Sequence, residues 1–358
     1  MSEPPTLLDM PNVALGVILD HCVHISIQSL RKTCRDLRNR IDKIKPDPKI
    51  ESISIKVTHE SIRLLYYSEE GTNLEENCDV EFEEICDVEY KPHNNGYTVN
   101  SARYEDWKTV RGMDYIEAFR NDLDLAMANI KKELSWFCID SFTELRYILK
   151  TAEQRNALEK NVEKVFAHLS NKLSHRRTPM LTSQLIVEIT KQNQLMRILP
   201  YFQLSGLKRI NVVDTEGIFK NFEMEEFMKS DQWNQALRLY IAGYFESLPD
   251  IKKFVHLKSF GFSIKSFTAE TYLKLKDMLL DPSALESLSI GSEHVQWNIF
   301  GVLKSTVRFG ENTTKAYFKT RDGSRLLSID EGPDTTENLF HASFSKFDKS
   351  VHADWIIN

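Results

Sequence analysis

Apolar residues recur at helical spacing over the first part of the chain. Val13, Val17 and Ile18 form one run, and a longer run follows a polar break at residues 24–26. The longer run consists of Ile27, Leu30, Cys34, Leu37 and Ile41. Pro11 suits the first turn of a helix, and Ser26 is an expected N-cap for the second helix. The pattern predicts three short helices over residues 7–46, a segment too short to bury a self-sufficient core and therefore expected to pack on another surface.

The apolar period changes after Pro46. Alternation typical of strands involves Ile53, Ile55 and Val57, then Val80 and Phe82, then Val88 and Tyr90. Two similar stretches, Cys-Asp-Val-Glu-Phe from residue 78 and Cys-Asp-Val-Glu-Tyr from residue 86, favour two strands over a thiol metal site, because no paired Cys-x-x-Cys or nearby histidine set accompanies them. Asn94-Asn95-Gly96 indicates a turn. We predict a β-rich connector over residues 49–110.

Helical spacing returns in two later runs, both interpreted as core-facing helices. The first contains Ile116, Phe119, Leu123, Met127, Ile130 and Leu134, and the second contains Leu158, Val162, Val165, Phe166, Leu169 and Leu173. The second run ends before Pro179, after about two and a half heptads, which is too short for a coiled-coil seam.

A looser repeat occupies the second half of the chain, with apolar residues at offsets zero, three and five. Its units are Leu207/Ile210/Val212, Ala236/Leu239/Ile241, Leu257/Phe260/Phe262 and Leu285/Leu288/Ile290, which begin 29, 21 and 28 residues apart. Helix-compatible segments cover residues 223–228, 268–280 and 294–303. Strand–helix units at this period are typical of leucine-rich repeats. An ordinary α/β layered domain with coincidental spacing is the alternative.

The last part of the chain predicts a hairpin and a cap. Asp322-Gly323 lies between two β-like runs and indicates a hairpin turn. The aromatic residues Phe340, Phe344, Phe347 and Trp355 are expected to cap the stacked units.

Composition narrows the class of protein. The chain has 358 residues, 41% hydrophobic and 27% charged residues, and a net charge of −6, which are typical of a soluble globular protein and disfavour a dominant nucleic-acid surface. No run of about 18 apolar residues predicts a membrane span, and the N-terminus lacks the order of a signal peptide. The five cysteines form a sparse, odd set that suits a reducing compartment. We expect an intracellular protein, in the cytoplasm, the nucleus or both.

Charge is distributed unevenly near the N-terminus. Residues 31–45 carry seven bases, and residues 69–89 carry ten acids without a base. We interpret the bases as the solvated face of a helix rather than a phosphate-binding one, and the acids as a loop with the outer edge of a strand.

No catalytic motif stands out. Phosphate loops, a nucleophile elbow and a His-Glu-x-x-His zinc motif do not occur. His21, Cys22, His24 and Cys34 could be drawn as a zinc quartet, but their spacing is too tight and small buried thiols are the better interpretation of the two cysteines. We expect that the protein is not an enzyme and that it binds neither a cofactor nor a metal.

The N-terminal segment resembles an F-box. The family pattern of Leu-Pro, a later Ile-Leu pair and Leu-x-x-Val-Cys-x-x-Leu is matched by Met10-Pro11, Ile18-Leu19 and Leu30, Thr33-Cys34, Leu37. The wording LLDMP and SLRKTCRDLRN is similar to the nematode branch of F-box proteins. At Ala14 and Cys22 the family usually has larger aliphatic residues. The resemblance implies contact with a Skp-family adaptor through Met10, Pro11, Val13, Ile18, Leu19, Leu30, Thr33 and Leu37.

The second half resembles the FTH domain, an F-box-associated, leucine-rich-repeat-like domain. The similar wording is Asp122-Leu-Asp-Leu with residues 131–134, then residues 194–201 followed by 206–210, and finally residues 285–290. We predict a multi-domain α and β fold with the F-box at 7–46, the connector at 49–110, an FTH/leucine-rich-repeat-like α/β domain of irregular strand–helix units at 111–310, and a hairpin and cap at 311–358.

These resemblances imply the substrate-recognition subunit of an SCF-type cullin–RING ubiquitin ligase. Its partners would be the Skp-family adaptor, the cullin scaffold and a protein target, without a membrane or nucleic acid. Strand alternation places the candidate target-binding residues on one face. They are Lys208, Arg209, Asn211, Arg238, Tyr240, Lys258, Ser259, Gly261, Glu286, Ser287 and Ser289. A protein-interaction scaffold without ligase recruitment is the alternative, and RNA binding through residues 31–45 is a third, disfavoured hypothesis.

Overall fold

In a computed structural model, the protein divides into two compact units. The structure describes residues 6–69, 82–101, 104–141, 151–214, 224–245, 248–280, 285–295, 307–309, 313–319, 321, 325–334 and 339–348. The first unit takes its described residues from 1–186 and 197–206, and the second from 187–196 and 207–358. Strand β7 (Gln184–Ile189) and helix α6 (Gln192–Ile198) contain points where the chain passes between units. The boundaries of the four domains expected from the sequence stay a prediction.

The first unit begins with three helices, as predicted: α1 (Asn12–Asp20), α2 (His24–Thr33) and α3 (Arg35–Ile44). The predicted cap at Ser26 is wrong, because α2 already begins at His24, and Val23 precedes it without a side-chain capping bond. Helix α3 ends before Pro46, where Lys45 adopts a left-handed conformation with φ 53° and its N–H donates to the Ile41 carbonyl at 2.8 Å.

A mixed sheet follows the helices in the first unit. Its strands are β1 (Ser52–Val57), β2 (Ile62–Glu69), β3 (Phe82–His93), β4 (Gly96–Ser101), β5 (Tyr104–Arg111) and β6 (Trp136–Asp140), in the order β6-β1-β2-β3-β4-β5. Strand β6 is parallel to β1, and the other neighbours are antiparallel. The predicted turn at 94–96 is confirmed, with Asn95 at φ 62°. Of the two similar cysteine stretches, the one from Cys86 lies within β3, and residues 78–81 lie outside the described residues.

Both predicted core-facing helices occur in the first unit, as α4 (Tyr115–Asn129) and α5 (Ala152–Ser174). Helix α4 ends earlier than predicted, so Ile130 and Leu134 lie beyond it, and Leu134 pairs with Thr182 in an isolated bridge. Helix α5 begins with a capping box in which Thr151 and Gln154 each bond the other's backbone N–H. The buried residues that α4 and α5 contribute include Phe119, Leu123, Met127, Val162, Phe166 and Leu169. A short 3-10 helix (Leu199–Tyr201) also belongs to this unit.

Four parallel strands form one part of the second unit: β8 (Arg209–Asp214), β9 (Arg238–Phe245), β10 (Ser259–Phe267) and β11 (Ser287–Val295). The repeated apolar positions pair in register, so that Ile210, Leu239, Phe260 and Leu288 form one row and Val212, Ile241, Phe262 and Ile290 form the next. All eight are buried. The predicted offsets of three and five therefore describe one packed face of a sheet.

Helices between these strands cover the packed face. They are α7 (Met224–Met228), α8 (Asp231–Gln235), a 3-10 helix (Ile251–Phe254) and α9 (Ala269–Leu279). The ring of Phe254 stacks on Phe260 with a centroid distance of 4.1 Å. The predicted helix at 294–303 is wrong at its start, because His294 and Val295 belong to β11, and residues 296–303 lie outside the described residues.

Antiparallel strands complete the second unit. They are β12 (Val307–Phe309), β13 (Thr313–Lys319), β14 (Arg325–Asp334) and β15 (Leu339–Asp348), with β15 beside β11. Strands β13 and β14 pair antiparallel as the hairpin prediction requires, although Asp322 and Gly323 lie outside the described residues. Phe340, Phe344 and Phe347 lie on β15 with Phe344 buried, and Trp355 lies outside the described residues. The overall class is α/β, as predicted. None of the helices in the described part of the chain has the length and apolar character needed to cross a bilayer.

Candidate interaction surfaces

Helix α1 is apolar on two sides. Leu15 and Leu19 point inward and are fully buried, whereas Val13, Val17 and Ile18 are 81%, 57% and 37% exposed. A helix that keeps apolar residues on its solvent side as well as its core side has an unpartnered surface. We call Val13, Val17 and Ile18 the α1 face.

A small core supports the α1 face. It consists of Leu15, Leu19, Ile27, Leu37 and Ile41, with Leu7, Cys22, Leu30 and Ile44 partly buried against it. Helix α2 also contacts the sheet of the first unit, where the ring of His24 meets the ring of Tyr66 with a centroid distance of 4.8 Å. The helices are therefore packed on the β-rich part of the same unit.

The eight predicted adaptor-contact residues fall into three groups. Pro11, Val13, Ile18 and Thr33 are exposed, Met10 and Leu30 are half-buried, and Leu19 and Leu37 are buried in the core. The buried pair supports the surface from below, since a side chain without exposed area makes no contact with a partner. Leu8, Val17 and Val23 are also exposed apolar residues, and they were not among the eight predicted contacts. For Val17, the i,i+4 spacing from Val13 was the available signal.

Two of the arginines interpreted as a solvated face are instead structural. Arg40 on α3 donates from Nη1 to the carbonyls of Leu7 and Leu8, at 3.3 and 2.7 Å, and from Nε to Asn12 Oδ1 at 3.0 Å. Its Nη2 donates to the Met10 carbonyl. Arg40 therefore fixes the segment that leads into α1.

Arg31 joins α2 to α3 through a two-point ion pair. Its Nε lies 2.7 Å from Asp42 Oδ1, and its Nη2 lies 3.1 Å from Asp42 Oδ2. No sequence pattern indicated either role, because the partners are backbone carbonyls, the Asn12 amide oxygen 28 positions away and a carboxylate eleven positions away.

Cys34 differs from its interpretation as a buried thiol. It is exposed and precedes α3, where its Sγ accepts the Leu37 N–H at 3.4 Å as an N-cap. Cys22 is half-buried. The prediction of a buried thiol is wrong for Cys34, because α2 and α3 are separate helices and the residue lies in the extended junction between them. The described residues contain no group of three or more potential metal ligands.

A cavity of about 180 Å³ lies between α2 and the sheet of the first unit. Its lining includes His24, Tyr66, Tyr90 and Asp122, and the Tyr90 hydroxyl donates to Asp122 Oδ2 at 2.5 Å. Burial, followed by the charges of Arg31 and Lys32, lowers the pKa of His24 to about 4. The His24 Nδ1 atom is buried without a hydrogen-bond partner among the described residues. The imidazole at this junction is therefore held neutral at physiological pH.

The parallel strands of the second unit present a second surface. The residues at offsets two and four of each repeat unit point away from the packed face, and the register of the strands aligns them in rows. The first row is Arg209, Arg238, Ser259 and Ser287, and the second is Asn211, Tyr240, Gly261 and Ser289. We call these eight residues the polar sheet face.

The structure thus brings the predicted target-binding residues together. Arg238 and Tyr240 are exposed, Gly261 is buried, and the other five residues of the polar sheet face are half-buried. Lys208, Lys258 and Glu286 immediately precede the strands, where the Lys208 carbonyl accepts the Arg238 N–H and the Lys258 carbonyl accepts the Ser287 N–H, both at 3.0 Å. Lys208 and Lys258 are exposed, and Glu286 is half-buried.

Tyr240 depends on its glycine neighbour. A Cβ atom at Gly261 would lie 2.5 Å from the Tyr240 Cδ2 atom, so the tyrosine ring lies directly over the glycine backbone. A side chain at position 261 would displace the ring, and glycine therefore fixes its placement on the polar sheet face.

Both surfaces lie in segments of the chain that match models of known domain families. The F-box domain family model matches residues 7–49, which include the α1 face. The FTH domain family model matches residues 163–304, which include the polar sheet face. A search of curated proteins found no match to the chain. An F-box domain indicates binding to a Skp-family adaptor in SCF complexes, and an FTH domain suggests a protein-interaction region. The chain therefore matches the F-box domain model near its N-terminus and the FTH domain model further along.

Proposed function

We propose that the protein is the substrate-recognition subunit of an SCF-type cullin–RING ubiquitin ligase. The α1 face would bind the Skp-family adaptor, and the polar sheet face would bind the protein target. The observation that carries the proposal is the exposed apolar α1 face within the F-box match. Apolar residues concentrated on one side of a small domain are typical of an interface core.

The mechanism in this proposal is positioning. F-box proteins are generally substrate adaptors rather than enzymes, and the ubiquitin-transfer chemistry takes place elsewhere in the assembly. Holding a target near the charged conjugating enzyme raises the effective concentration of its lysine side chains. The adaptor would connect the chain to the cullin, in the cytoplasm or the nucleus.

The packing of the F-box helices supports a positioning role. His24 on α2 contacts Tyr66 on β2, so the three N-terminal helices pack against the sheet of the first unit. A fixed contact limits the volume that a bound partner explores, which favours productive encounters.

The finer features of the two domains are also part of the proposal. The in-register rows of the second unit support the leucine-rich-repeat-like interpretation of its strand–helix order. The wording of the F-box segment supports assignment to the nematode branch. The adaptor contacts would be Pro11, Val13, Ile18 and Thr33 at the surface, with Met10 and Leu30 at the edge.

The test is binding of purified adaptor to the full chain and to a Val13→Ala/Val17→Ala/Ile18→Ala variant, by isothermal titration calorimetry. Removing three exposed apolar side chains should weaken binding by about 3 kcal/mol, roughly a hundredfold in Kd. Leu237→Ala is the matched control, because Leu237 is also an exposed aliphatic residue but lies in the second unit. The Leu237→Ala variant should bind the adaptor with the same affinity as the parent chain.

Absence of adaptor binding by the parent chain would overturn the proposal and leave the scaffold alternative. Equal binding by the triple variant would show that the α1 face is not the contact surface. Reconstituted ubiquitination of a bound target would then separate a ligase receptor from an adaptor-binding scaffold.

A further inference from the structure

Basic side chains gather at one edge of the polar sheet face. Arg209 and Arg238 are paired in register on the neighbouring strands β8 and β9, and Lys208 and Lys258 immediately precede β8 and β10. Lys208, Arg238 and Lys258 are exposed, and Arg209 is half-buried. We call these four residues the basic edge.

Within the described part of the chain, the positive charges of the basic edge have no carboxylate to neutralise them. Elsewhere in the chain, Arg31 pairs with Asp42, Arg63 with Asp87 and Arg197 with Glu163. No carboxylate among the described residues pairs with any of the four basic-edge side chains. Glu286 immediately precedes β11, and its Oε1 lies 3.8 Å from Arg325 Nη1 instead.

The two arginines also act unfavourably on each other. Neighbouring strands lie roughly 4.8 Å apart, so like charges at paired positions repel. Burial and the charge of Arg238 lower the pKa of Arg209. An anion bound between the two guanidinium groups would relieve this repulsion, and planar guanidinium groups bind carboxylates through two parallel hydrogen bonds.

The rest of the polar sheet face suits a peptide. Tyr240, 44% exposed, offers an aromatic surface beside Arg238 on the same strand, and Ser259, Ser287 and Ser289 offer hydroxyl groups. Side chains on one side of an extended segment recur roughly every 6.6 Å, a spacing that long arginine side chains on adjacent strands can reach. The net charge of −6 for the whole chain disfavours a polyanion such as nucleic acid.

We propose that the polar sheet face binds an extended, acidic segment of the target protein, with carboxylates of that segment meeting Arg209 and Arg238. This inference deepens the proposed function and rests on it, since it specifies the chemistry of the target. The segment lies across the strands, with its carboxylates at the basic edge and its neighbouring residues against Tyr240 and the serine hydroxyls.

The test is selection from a randomised peptide library on the immobilised full chain. Three variants are compared with the parent: Arg209→Ser/Arg238→Ser, Arg209→Glu/Arg238→Glu, and the control Lys252→Ser/Lys253→Ser. The control removes the same charge from exposed residues of the 3-10 helix Ile251–Phe254 in the same unit. The best peptide from the parent is then labelled, and its affinity is measured by fluorescence anisotropy at low and high salt.

The parent and the control should both select peptides rich in Asp and Glu. The double serine variant should bind the best peptide at least roughly tenfold more weakly, and the double glutamate variant should select Lys and Arg instead. That reversal is a gain of binding, so it distinguishes loss of the contact from loss of folding. Binding of the acidic peptide should weaken as salt rises.

Three results would overturn the inference: a parent selection without acidic enrichment, equal affinity in the double serine variant, or tighter arginine-dependent binding of a single-stranded RNA oligonucleotide. Adaptor binding is measured in parallel on the same preparations. Loss of adaptor binding with intact acidic selection would overturn the ligase assignment alone, and the reverse outcome would overturn the acidic-segment inference alone.

Discussion

The α1 face and the polar sheet face are both open on one side but differ in chemistry. The α1 face is aliphatic, and among the described residues the core beneath it has five buried members. The polar sheet face carries charged, hydroxyl and aromatic groups above a sheet whose opposite side is packed with buried residues from every repeat unit. The two surfaces therefore differ in what they offer a partner and in how firmly they are supported.

Under the proposed function, this difference indicates how affinity and specificity divide between the two surfaces. Apolar contact gives affinity without strong dependence on the partner's charge pattern, which suits a common adaptor. Polar and charged contact distinguishes between partners through complementarity, which suits a specific target. A small core under the apolar face also makes that face more sensitive to mutation than the sheet face.

The largest expected effect comes from the core under the α1 face. Leu19→Ala should destabilise the F-box helices by roughly 3 kcal/mol, because the lost methyl groups leave a cavity in a core too small to absorb it. Hydrogen exchange of the α1–α3 amides should increase, and adaptor binding should fall with it. Val13→Ala, an exposed change on the same helix, should weaken adaptor binding while leaving exchange unchanged. Equal exchange in Leu19→Ala and the parent would show that Leu19 does not support the fold.

The next effect concerns the contact between α2 and the sheet. The pKa of His24 is about 4 in the folded protein, against an ordinary value of 6.5, so the unfolded chain binds its proton more readily. The free energy of unfolding should therefore be at its full value above pH 6.5. It should decrease as the pH falls from 6.5 towards 4, by up to about 3 kcal/mol. Arg31 and Lys32 oppose protonation, and Asp122 lies across the cavity.

Urea unfolding across this pH range measures the effect. His24→Phe retains an aromatic ring beside Tyr66 and should flatten the pH dependence, whereas His21→Asn, at an exposed position on the preceding turn, should not. The same pH dependence in His24→Phe and the parent would contradict the assignment to His24.

A smaller effect is expected from the arginine that fixes the entry to α1. Arg40→Ala removes the hydrogen bonds to the Leu7, Leu8 and Met10 carbonyls and to Asn12, and should cost about 2 kcal/mol. Adaptor affinity should fall because the segment before the α1 face is no longer fixed. Arg35→Ala is the control, since Arg35 is an exposed arginine of the same helix without a side-chain hydrogen bond among the described residues. Matching thermal unfolding of the two variants would contradict the prediction.

The smallest effect is expected on the polar sheet face. Gly261→Ala should cost about 1 kcal/mol or less, because the Tyr240 ring is exposed and can rotate away from the added methyl group. Binding of the selected acidic peptide should weaken while adaptor affinity stays constant. Ser205→Ala is the control for a small change, because Ser205 is exposed and lies in the first unit, outside the polar sheet face. A shift in adaptor affinity instead would contradict the separation of the two surfaces.

The sequence predicted most elements whose apolar period was long and regular. Helix α5 and the in-register strands β8–β11 were both indicated by spacing, since the residues that pack are the residues that repeat. Element ends were less accurate. Leu134 continued the helical pattern yet lies beyond α4, because an isolated apolar residue suits a bridge as well as a helix.

The candidate sites were predicted unevenly for the same reason. Alternation placed Arg209, Arg238 and Tyr240 on one face, which the register of the strands brings together. For the F-box helices, the spacing did not separate Leu19, which is buried, from Ile18, which is exposed. A helix that is apolar on two sides carries no sequence signal for which side faces the core.

By itself, the sequence determined the local elements, the N-terminal resemblance to an F-box and the face to which each strand residue belongs, because these depend on spacing within short segments. Only the tertiary structure decided that Arg40 fixes the entry to α1, that His24 is buried against Tyr66, and that the basic edge has no described carboxylate partner. These properties depend on distances between residues far apart in the chain, and those distances are set by packing rather than by local pattern.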